Sequence, residues 1–346
     1  MNDILQKKIK NFELIEDQKK NRSVILTGFP YWLTTDPCNI CMLKCPFCPT
    51  GQGRITRRQQ KLSFKMFKDI IDELGPYLIH IDMCNWGEPL LNDEIAQMVS
   101  YAKRYFVNIK VDTSLNVLTE KQAEFLVLSG LDKMILSIDG ATQDTYGKYR
   151  RGGNLEKVLS NVRLLLKKRK ESGRTTPRLE WQFLVFRHNE HEIEKARKIA
   201  KEIGVDEFSC TSPNVGSPDW LTTKEPYRSR YYIVVGERVR FKTGQRAELC
   251  NWLWDGIVLN SDGSISPCCS VEEAKDDFAA EFLPGRFSEL WNNAKFTAAR
   301  RHVLKKRLTP ETGSAHICER CDFIGLSNHM DAEFILQDMM RNSGNA

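Results

Sequence analysis

Four cysteines crowd one short stretch of the chain, Asp36-Pro37-Cys38-Asn39-Ile40-Cys41-Met42-Leu43-Lys44-Cys45-Pro46-Phe47-Cys48. Thiolates packed this closely beside prolines suit a soft metal or an iron–sulfur cluster far better than a disulfide framework. The whole chain holds eleven cysteines, an odd number that would leave at least one thiol over from any full pairing. Its N-terminus has no apolar signal core and no small-residue cleavage site. A cytoplasmic location is therefore expected, and there thiols stay reduced and serve metal or redox chemistry. Two other segments carry chemistry of their own. In Trp86-Gly87-Glu88-Pro89-Leu90 a glycine permits close backbone approach and a carboxylate can face an ammonium. In Tyr149-Arg150-Arg151-Gly152-Gly153-Asn154 a guanidinium offers a two-pronged fork to a carboxylate.

These residues need a scaffold, and the pattern supplies one. Strands are expected over Ser23–Leu33, Leu78–Met83, Val107–Val111, Lys133–Ile138, Leu179–Phe186 and Glu207–Cys210. Helices are expected between them: one capped by Ser63 and ending at Leu74, then Asp93–Tyr105, Glu120–Leu128, Leu155–Lys170 and Glu190–Ile203. Six strands alternating with helices mean parallel βαβ units, with ligand chemistry at the carboxyl ends of the strands. Residues 1–22 read as a helical segment, 23–210 as the α/β unit, 211–249 as a Pro- and aromatic-rich bridge, 250–325 as a second cysteine-bearing unit and 326–346 as a tail. Composition is that of a soluble enzyme, with 41% hydrophobic and 28% charged residues. No apolar run approaches the roughly 18 residues that span a bilayer. The net charge of +6 is modest, and its densest run, Lys167-Lys168-Arg169-Lys170, lacks interleaved aromatics. It reads as a solvated helix face, and neither a nucleic-acid nor a membrane partner is expected.

The spacing Cys41-x3-Cys45-x2-Cys48, after a first strand and with Phe47 before the last cysteine, resembles the radical S-adenosylmethionine (SAM) superfamily. The resemblance continues in order along the chain. Trp86-Gly87-Glu88-Pro89 is similar to the family's Gly-Gly-Glu-Pro segment, which binds the methionyl amino group. Thr113-Ser114-Leu115-Asn116 stands where many members carry Thr-Asn-Gly. Ser137-Ile138-Asp139-Gly140 resembles the ribose-contacting segment of one large branch. The fold implied is a partial (β/α)6 TIM-type barrel. Cys41, Cys45 and Cys48 would hold three irons of a [4Fe–4S] cluster and leave the fourth to SAM. Phe47, Gly87, Glu88, Asn116, Ser137, Asp139 and Arg150 would contact the SAM molecule. Two departures stand out: Cys38 adds a fourth thiol that could close the site completely, and Cys84-Asn85-Trp86 puts bulk where the first glycine belongs.

Cys250-x12-Gly263-x4-Cys268, with a hairpin expected across Asp262-Gly263, and then Cys318-x2-Cys321, resemble the SPASM extension of that superfamily. The full extension holds two clusters on seven cysteines. Residues 322–346 contain none, so the resemblance implies a small α+β unit with one auxiliary [4Fe–4S] cluster on Cys250, Cys268, Cys318 and Cys321. A structural zinc suits the same four thiolates. Only one of Cys268 and Cys269 should ligate, because neighbouring side chains on a strand point to opposite faces. Cys210, at the end of the sixth strand, is a candidate hydrogen-atom donor at the barrel mouth, against the plainer role of a buried small hydrophobe.

The activity implied is reductive cleavage of SAM, fed by an external one-electron reductant of flavodoxin or ferredoxin type, with hydrogen abstraction from a substrate C–H bond. Only 40 residues precede Cys41, too few for the added peptide-binding domain of many peptide-modifying members. The expected substrate is a small polar molecule such as a sugar, nucleotide-sugar or aminocyclitol, undergoing dehydrogenation, epimerisation or radical elimination. A maturase acting on a ribosomally made peptide is the alternative. The non-enzyme alternative is an iron–sulfur or zinc-binding electron-transfer protein.

Overall fold

Side-chain alternation sets the architecture of the computed structural model, which describes residues 3–213, 215, 217–224, 232–235, 238–241, 249–305, 316–321 and 332–343. Strands β1 (Trp32–Thr35), β2 (His80–Asp82), β3 (Asn108–Thr113), β4 (Lys133–Ser137), β5 (Arg178–Leu184) and β6 (Glu207–Thr211) pair in consecutive order, all parallel. One face of this sheet presents Ile81, Ile109, Val111, Met134, Leu136, Leu179, Trp181 and Phe183, all buried. Helices α2 (Phe64–Leu74), α3 (Ile95–Lys103), α4 (Glu120–Leu128), α5 (Gln143–Tyr149), α6 (Leu155–Glu171) and α7 (Ile193–Ile203) lie between the strands in the chain. Their apolar sides share one core with that face. The other face lines the lumen of a partial (β/α)6 barrel. The expected elements are present, and α5, capped by Thr142, is an addition between β4 and α6.

The first strand is shorter than expected. Before it, Leu26, Gly28 and Phe29 bond to amide side chains in place of a neighbouring strand. Asn292 brackets both N–H and C=O of Leu26, and Asn11 does the same for Phe29, each at 2.8 Å. Asn11 belongs to α1 (Asp3–Lys20), which also sends the buried Lys8 ammonium to the carbonyls of Gly75 and Leu78. The N-terminal helix is thus stitched under the barrel. Among the described residues no helix is long and apolar enough to cross a membrane.

The bridge contributes a hairpin, β7 (Tyr232–Val235) and β8 (Arg238–Phe241). Its Pro226, Tyr227, Tyr231 and Gly236 lie outside the described residues. After a short turn of helix, α8 (Trp252–Asp255), comes the expected hairpin, β9 (Gly256–Leu259) and β10 (Ile265–Ser266). It does more than fold on itself, because β9 pairs parallel with β1 and extends the barrel sheet to eight strands. Helices α9 (Phe287–Trp291), α10 (Ala294–Val303) and α11 (Ala332–Ser343) complete the second unit. Arg300 of α10 is fully buried, donates to Leu253 O at 2.7 Å and Val24 O at 3.1 Å, and lies over the Trp291 ring.

A second arginine joins the cysteine loop to this unit. Arg57 is buried, holds Asp277 with both terminal nitrogens, and reaches Ser264 at 3.0 Å and Ser266 at 3.2 Å. Removing one partner of such a pair strands the other charge, at a cost of about 3–5 kcal/mol. Arg57→Met should lower the urea midpoint by that equivalent. A loss under about 1 kcal/mol, the range of exposed pairs, would show that the connection is solvated.

Candidate active site

The cysteine loop leaves β1 and is shaped by backbone contacts that only glycine permits. A Cβ on Gly87 would lie 1.8 Å from the Cys38 carbonyl oxygen, and one on Gly51 would lie 2.6 Å from the Cys45 nitrogen. The Gly87 segment therefore presses backbone to backbone on the loop, and Glu88 N–H donates to Ile40 O at 2.9 Å. From the other side Lys44 N–H donates to Arg151 O at 2.9 Å. The loop is gripped by the segments after β2 and after α5.

Within this grip Cys41, Cys45 and Cys48 influence one another electrostatically. Burial pushes the Cys41 thiol up to about 12, and Glu88 and the two neighbouring thiols add to it. Burial also raises Cys45, against the pull of the nearby Arg150 guanidinium. Cys38 is buried at the strand end, receives the Ile40 N–H on Sγ at 3.4 Å, and feels Asp36, Lys61 and Glu88. Cys38 and Cys41 both feel Glu88, while Cys41 also feels Cys45 and Cys48.

Glu88 is 2% exposed and carries the densest set of donors in the region. Its Oε1 accepts from Thr113 Oγ1 at 2.5 Å and Leu90 N at 3.3 Å. Its Oε2 accepts from Ser114 N at 2.9 Å and Ser114 Oγ at 2.5 Å. Thr113 and Ser114, at the carboxyl end of β3, belong to the segment noted in the sequence, of which only Asn116 was expected at the cofactor. Leu115, the next residue, takes φ 54° in the left-handed region, beside the Ser114 bonds to Glu88. A non-glycine residue there is strained by about 1–2 kcal/mol, and the fully buried Leu115 side chain offsets the strain.

Arg150 donates from Nε to Asp139 Oδ2 at 2.6 Å, and Asp139 is fully buried and takes Leu184 N–H on its other oxygen. Asp139, expected at the ribose, is thus the residue that orients Arg150. Asn116 is likewise spent on the scaffold. Its amide nitrogen donates to Ser114 O and Tyr146 Oη, and its oxygen accepts from Asn154 N. Ser137 ends β4 with its side chain on the lumen face, half-buried. Phe47 packs between Tyr149 and the bridge residue Trp220, with ring centroids 6.4 and 5.2 Å away.

Cys210 is a correction. Register pairs Phe183 with Cys210 and Trp181 with Phe208, so Cys210 shares the helix-side face and packs on the apolar core. It points away from the lumen and cannot return hydrogen to a substrate there. The thiol that does face the lumen is Cys84, two residues beyond Asp82 on the same face, and its electrostatic neighbours are Asp112, Asp36, Glu88 and Lys110. Burial raises it above an ordinary thiol. The lumen face carries several charges beside Ile135, Ser137 and Gln182. Lys110 bridges Asp82 at 2.9 Å and Asp112 at 3.3 Å, and Lys133 bridges Glu180 and Glu207. The Asp112 side chain is 34% exposed in the middle of the sheet, so solvent enters the lumen. Beside it Asp36 is buried and takes the Trp86 N–H on Oδ1, while Oδ2 has no partner among the described residues. Burial pushes its carboxyl up to about 7.

In the second unit Cys268 feels Cys269, Cys250 and Cys318, and Cys318 feels Cys250 and Cys321, so these thiols share one neighbourhood. Cys269, in the turn after β10, is the largest charge influence on Cys268 and itself feels Asp82 of the barrel. Both donor sets fit iron–sulfur clusters. Cys41 lies near the buried Glu88 carboxylate in the first, and thiolates are the donors such clusters take in both, although among the described residues no three of these side chains already stand at metal-binding distance.

The comparisons agree with this geometry. A family model of the radical SAM superfamily matches residues 36–177, and one of the SPASM iron–sulfur cluster-binding domain matches residues 250–322. The chain is 26% identical over 314 residues to the mycofactocin maturase MftC of Mycolicibacterium smegmatis, covering 88% of this chain and 76% of that protein. It is 25% identical over 260 residues to the probable GTP 3′,8-cyclase of Methanococcus maripaludis, covering 69% and 85%. Two solved structures share the fold at 14% identity. Streptococcus suis SuiB bound to precursor peptide SuiA gives a TM-score of 0.59 over 83% of this chain and 70% of that one. The structure of anSMEcpe with bound AdoMet gives 0.56 over 91% and 100%.

Anaerobic reconstitution should load about eight irons per chain, two [4Fe–4S] clusters. Cys45→Ala and Cys268→Ala should each retain about four. Zinc in place of four of the irons would contradict the second cluster. Glu88→Gln should keep its iron and bind SAM at least tenfold more weakly, a loss of about 1.4 kcal/mol or more. Unchanged affinity would free Glu88 of the ammonium role.

Proposed function

Because the chain belongs to the radical SAM superfamily and carries a SPASM domain, we propose that it cleaves SAM reductively in the cytoplasm and turns the resulting radical on a small polar substrate held in the barrel lumen. The observation that carries the cofactor half is the Glu88 carboxylate, buried beside Cys41 with four donors and, among the described residues, no cation on it. A buried charge is costly until it meets its counter-charge, and a methionyl ammonium would supply one. When bound, the cluster and SAM supply a 5′-deoxyadenosyl radical that takes hydrogen from an unactivated C–H bond. The protein's share is positioning. Asp139 fixes the Arg150 fork for the SAM carboxylate, and Gly87 sets the height of Glu88 over the loop.

The charged lumen supports the substrate half. Asp82, Lys110, Asp112, Lys133, Glu180 and Gln182 lie on the lumen faces of four adjacent strands, an environment for hydroxyl, amino or anionic groups. Dehydrogenation, epimerisation or radical elimination of a sugar, nucleotide-sugar or aminocyclitol fits it. The likeness to a maturase over 88% of the chain supports a second reading, modification of a ribosomally made peptide.

Dithionite and SAM should yield 5′-deoxyadenosine from the reconstituted protein and none from Cys45→Ala. No 5′-deoxyadenosine under several reductants would overturn the reading. With a panel of sugars, nucleotide-sugars and aminocyclitols, at least one should accelerate the release tenfold, and Asp112→Asn should abolish the acceleration while leaving the unstimulated rate. Acceleration by a precursor peptide alone would favour the second reading.

A further inference from the structure

The cluster loop lies in a stretch of one sign. From Pro37 to Lys68 the chain has seven lysines and arginines and no aspartate or glutamate, although it holds 45 acids in all. The segment that grips the loop repeats the bias, with Lys148, Arg150 and Arg151 and no acid from Thr145 to Leu155. The Lys44 N–H···O Arg151 bond fixes these two segments side by side. Lys44, Arg54, Arg58, Lys148 and Arg151 are all exposed. Arg54 approaches Glu272 only at 4.0 Å, while Lys61, Lys65 and Lys68 pair with Asp93, Asp69 and Asp72. Among the described residues the basic side chains of these two segments without an acidic partner are Lys44, Arg58, Lys148 and Arg151.

A cavity of about 360 Å³ opens in this face, lined by Lys148, Arg151, His188, Asp219 and Trp220. Asp219 is its one acid. The His188 Nε2 there is buried and lacks a partner among the described residues. Trp220 also forms an edge contact with Phe47, so the cavity shares a wall with the loop. Lys44 sits between Cys41 and Cys45 in the chain, and a protein touching its side chain would stand one residue from a cluster ligand.

We infer that this face, centred on Lys44, Lys148 and Arg151, is the docking surface for an acidic one-electron carrier protein, with a carrier carboxylate entering the Lys148–Arg151–His188 cavity. The inference rests on the proposed SAM chemistry, which needs one electron per cleavage. The carrier is oxidised by one electron and the loop's cluster is reduced by one, with no group transferred. Complementary charge raises the encounter rate and selects the partner, and salt screens it.

The test separates docking from chemistry by using two reductants on the reconstituted holoenzyme. Lys44→Glu/Arg151→Glu should cleave SAM with dithionite at the unmutated rate. With reduced flavodoxin as the probe its rate should fall at least tenfold. Binding of the same flavodoxin, followed by its flavin fluorescence, should weaken at least tenfold and lose most of its dependence on salt. The milder Lys44→Gln/Arg151→Gln should fall between. Lys167→Glu/Lys170→Glu, on the equally basic end of α6, should match the unmutated protein throughout. Equal flavodoxin binding and rate in the Lys44/Arg151 variant would overturn the proposal. So would an RNA oligonucleotide bound by the unmutated protein and released by that variant at unchanged flavodoxin rate, which would assign the face to RNA. Loss of the dithionite rate in the unmutated protein would instead bring down the underlying SAM reading.

Discussion

The contact of Gly87 with the Cys38 carbonyl is the constraint on which the site depends. No side chain fits between them, so the segment after β2 lies directly on the cysteine loop. That contact places Glu88 next to Cys41 and allows its N–H to reach Ile40 O. The Thr113 and Ser114 hydroxyls then hold the carboxylate from the next strand. Charge-assisted bonds of this kind are worth about 1.5–3 kcal/mol each. They hold the Glu88 carboxylate in one orientation. The site is therefore arranged for its ligand in advance, and little reorganisation is left to the moment of binding.

The sheet divides the molecule's tasks between its two faces. The helix side is apolar and buried, and gives the barrel its stability. The lumen side carries ion pairs that remain partly accessible to solvent. A single residue of register separates the two, which is why Cys210 belongs to the core and Cys84 to the lumen. The second unit is an extension of the same sheet. β9 continues β1, Arg57 ties the loop to Asp277, and Cys269 faces Asp82 across the junction. The SPASM-type thiols are thereby held in fixed relation to the barrel.

Much of this was legible in the sequence because its causes are local. Cysteine spacing, the Gly-Glu-Pro segment, the Ser63 cap and the period of helix α4 each depend on a few adjacent residues. The parts that were not legible depend on partners far along the chain. Asn11 and Asn292 stand in for a neighbouring strand at Phe29 and Leu26, and no local pattern announces such amide bridges. The β1–β9 pairing joins residues more than 200 positions apart. Asp139 and Asn116 were assigned to the cofactor from the resemblance, whereas their polar atoms are taken up by Arg150, Tyr146 and Asn154. Cys210 was placed at the mouth by its position at a strand end, and only the register shows which face it occupies.

The central claim is that Cys41, Cys45 and Cys48 leave one iron open and that Glu88 holds the amino group of SAM against it. Electron–nuclear double resonance on the reduced protein, with SAM labelled by 15N at the amino group, addresses this directly. A 15N coupling to the cluster in the unmutated protein, weakened or lost in Glu88→Gln, is the predicted result. A cluster that shows no coupling to the labelled nitrogen at saturating SAM would contradict the account.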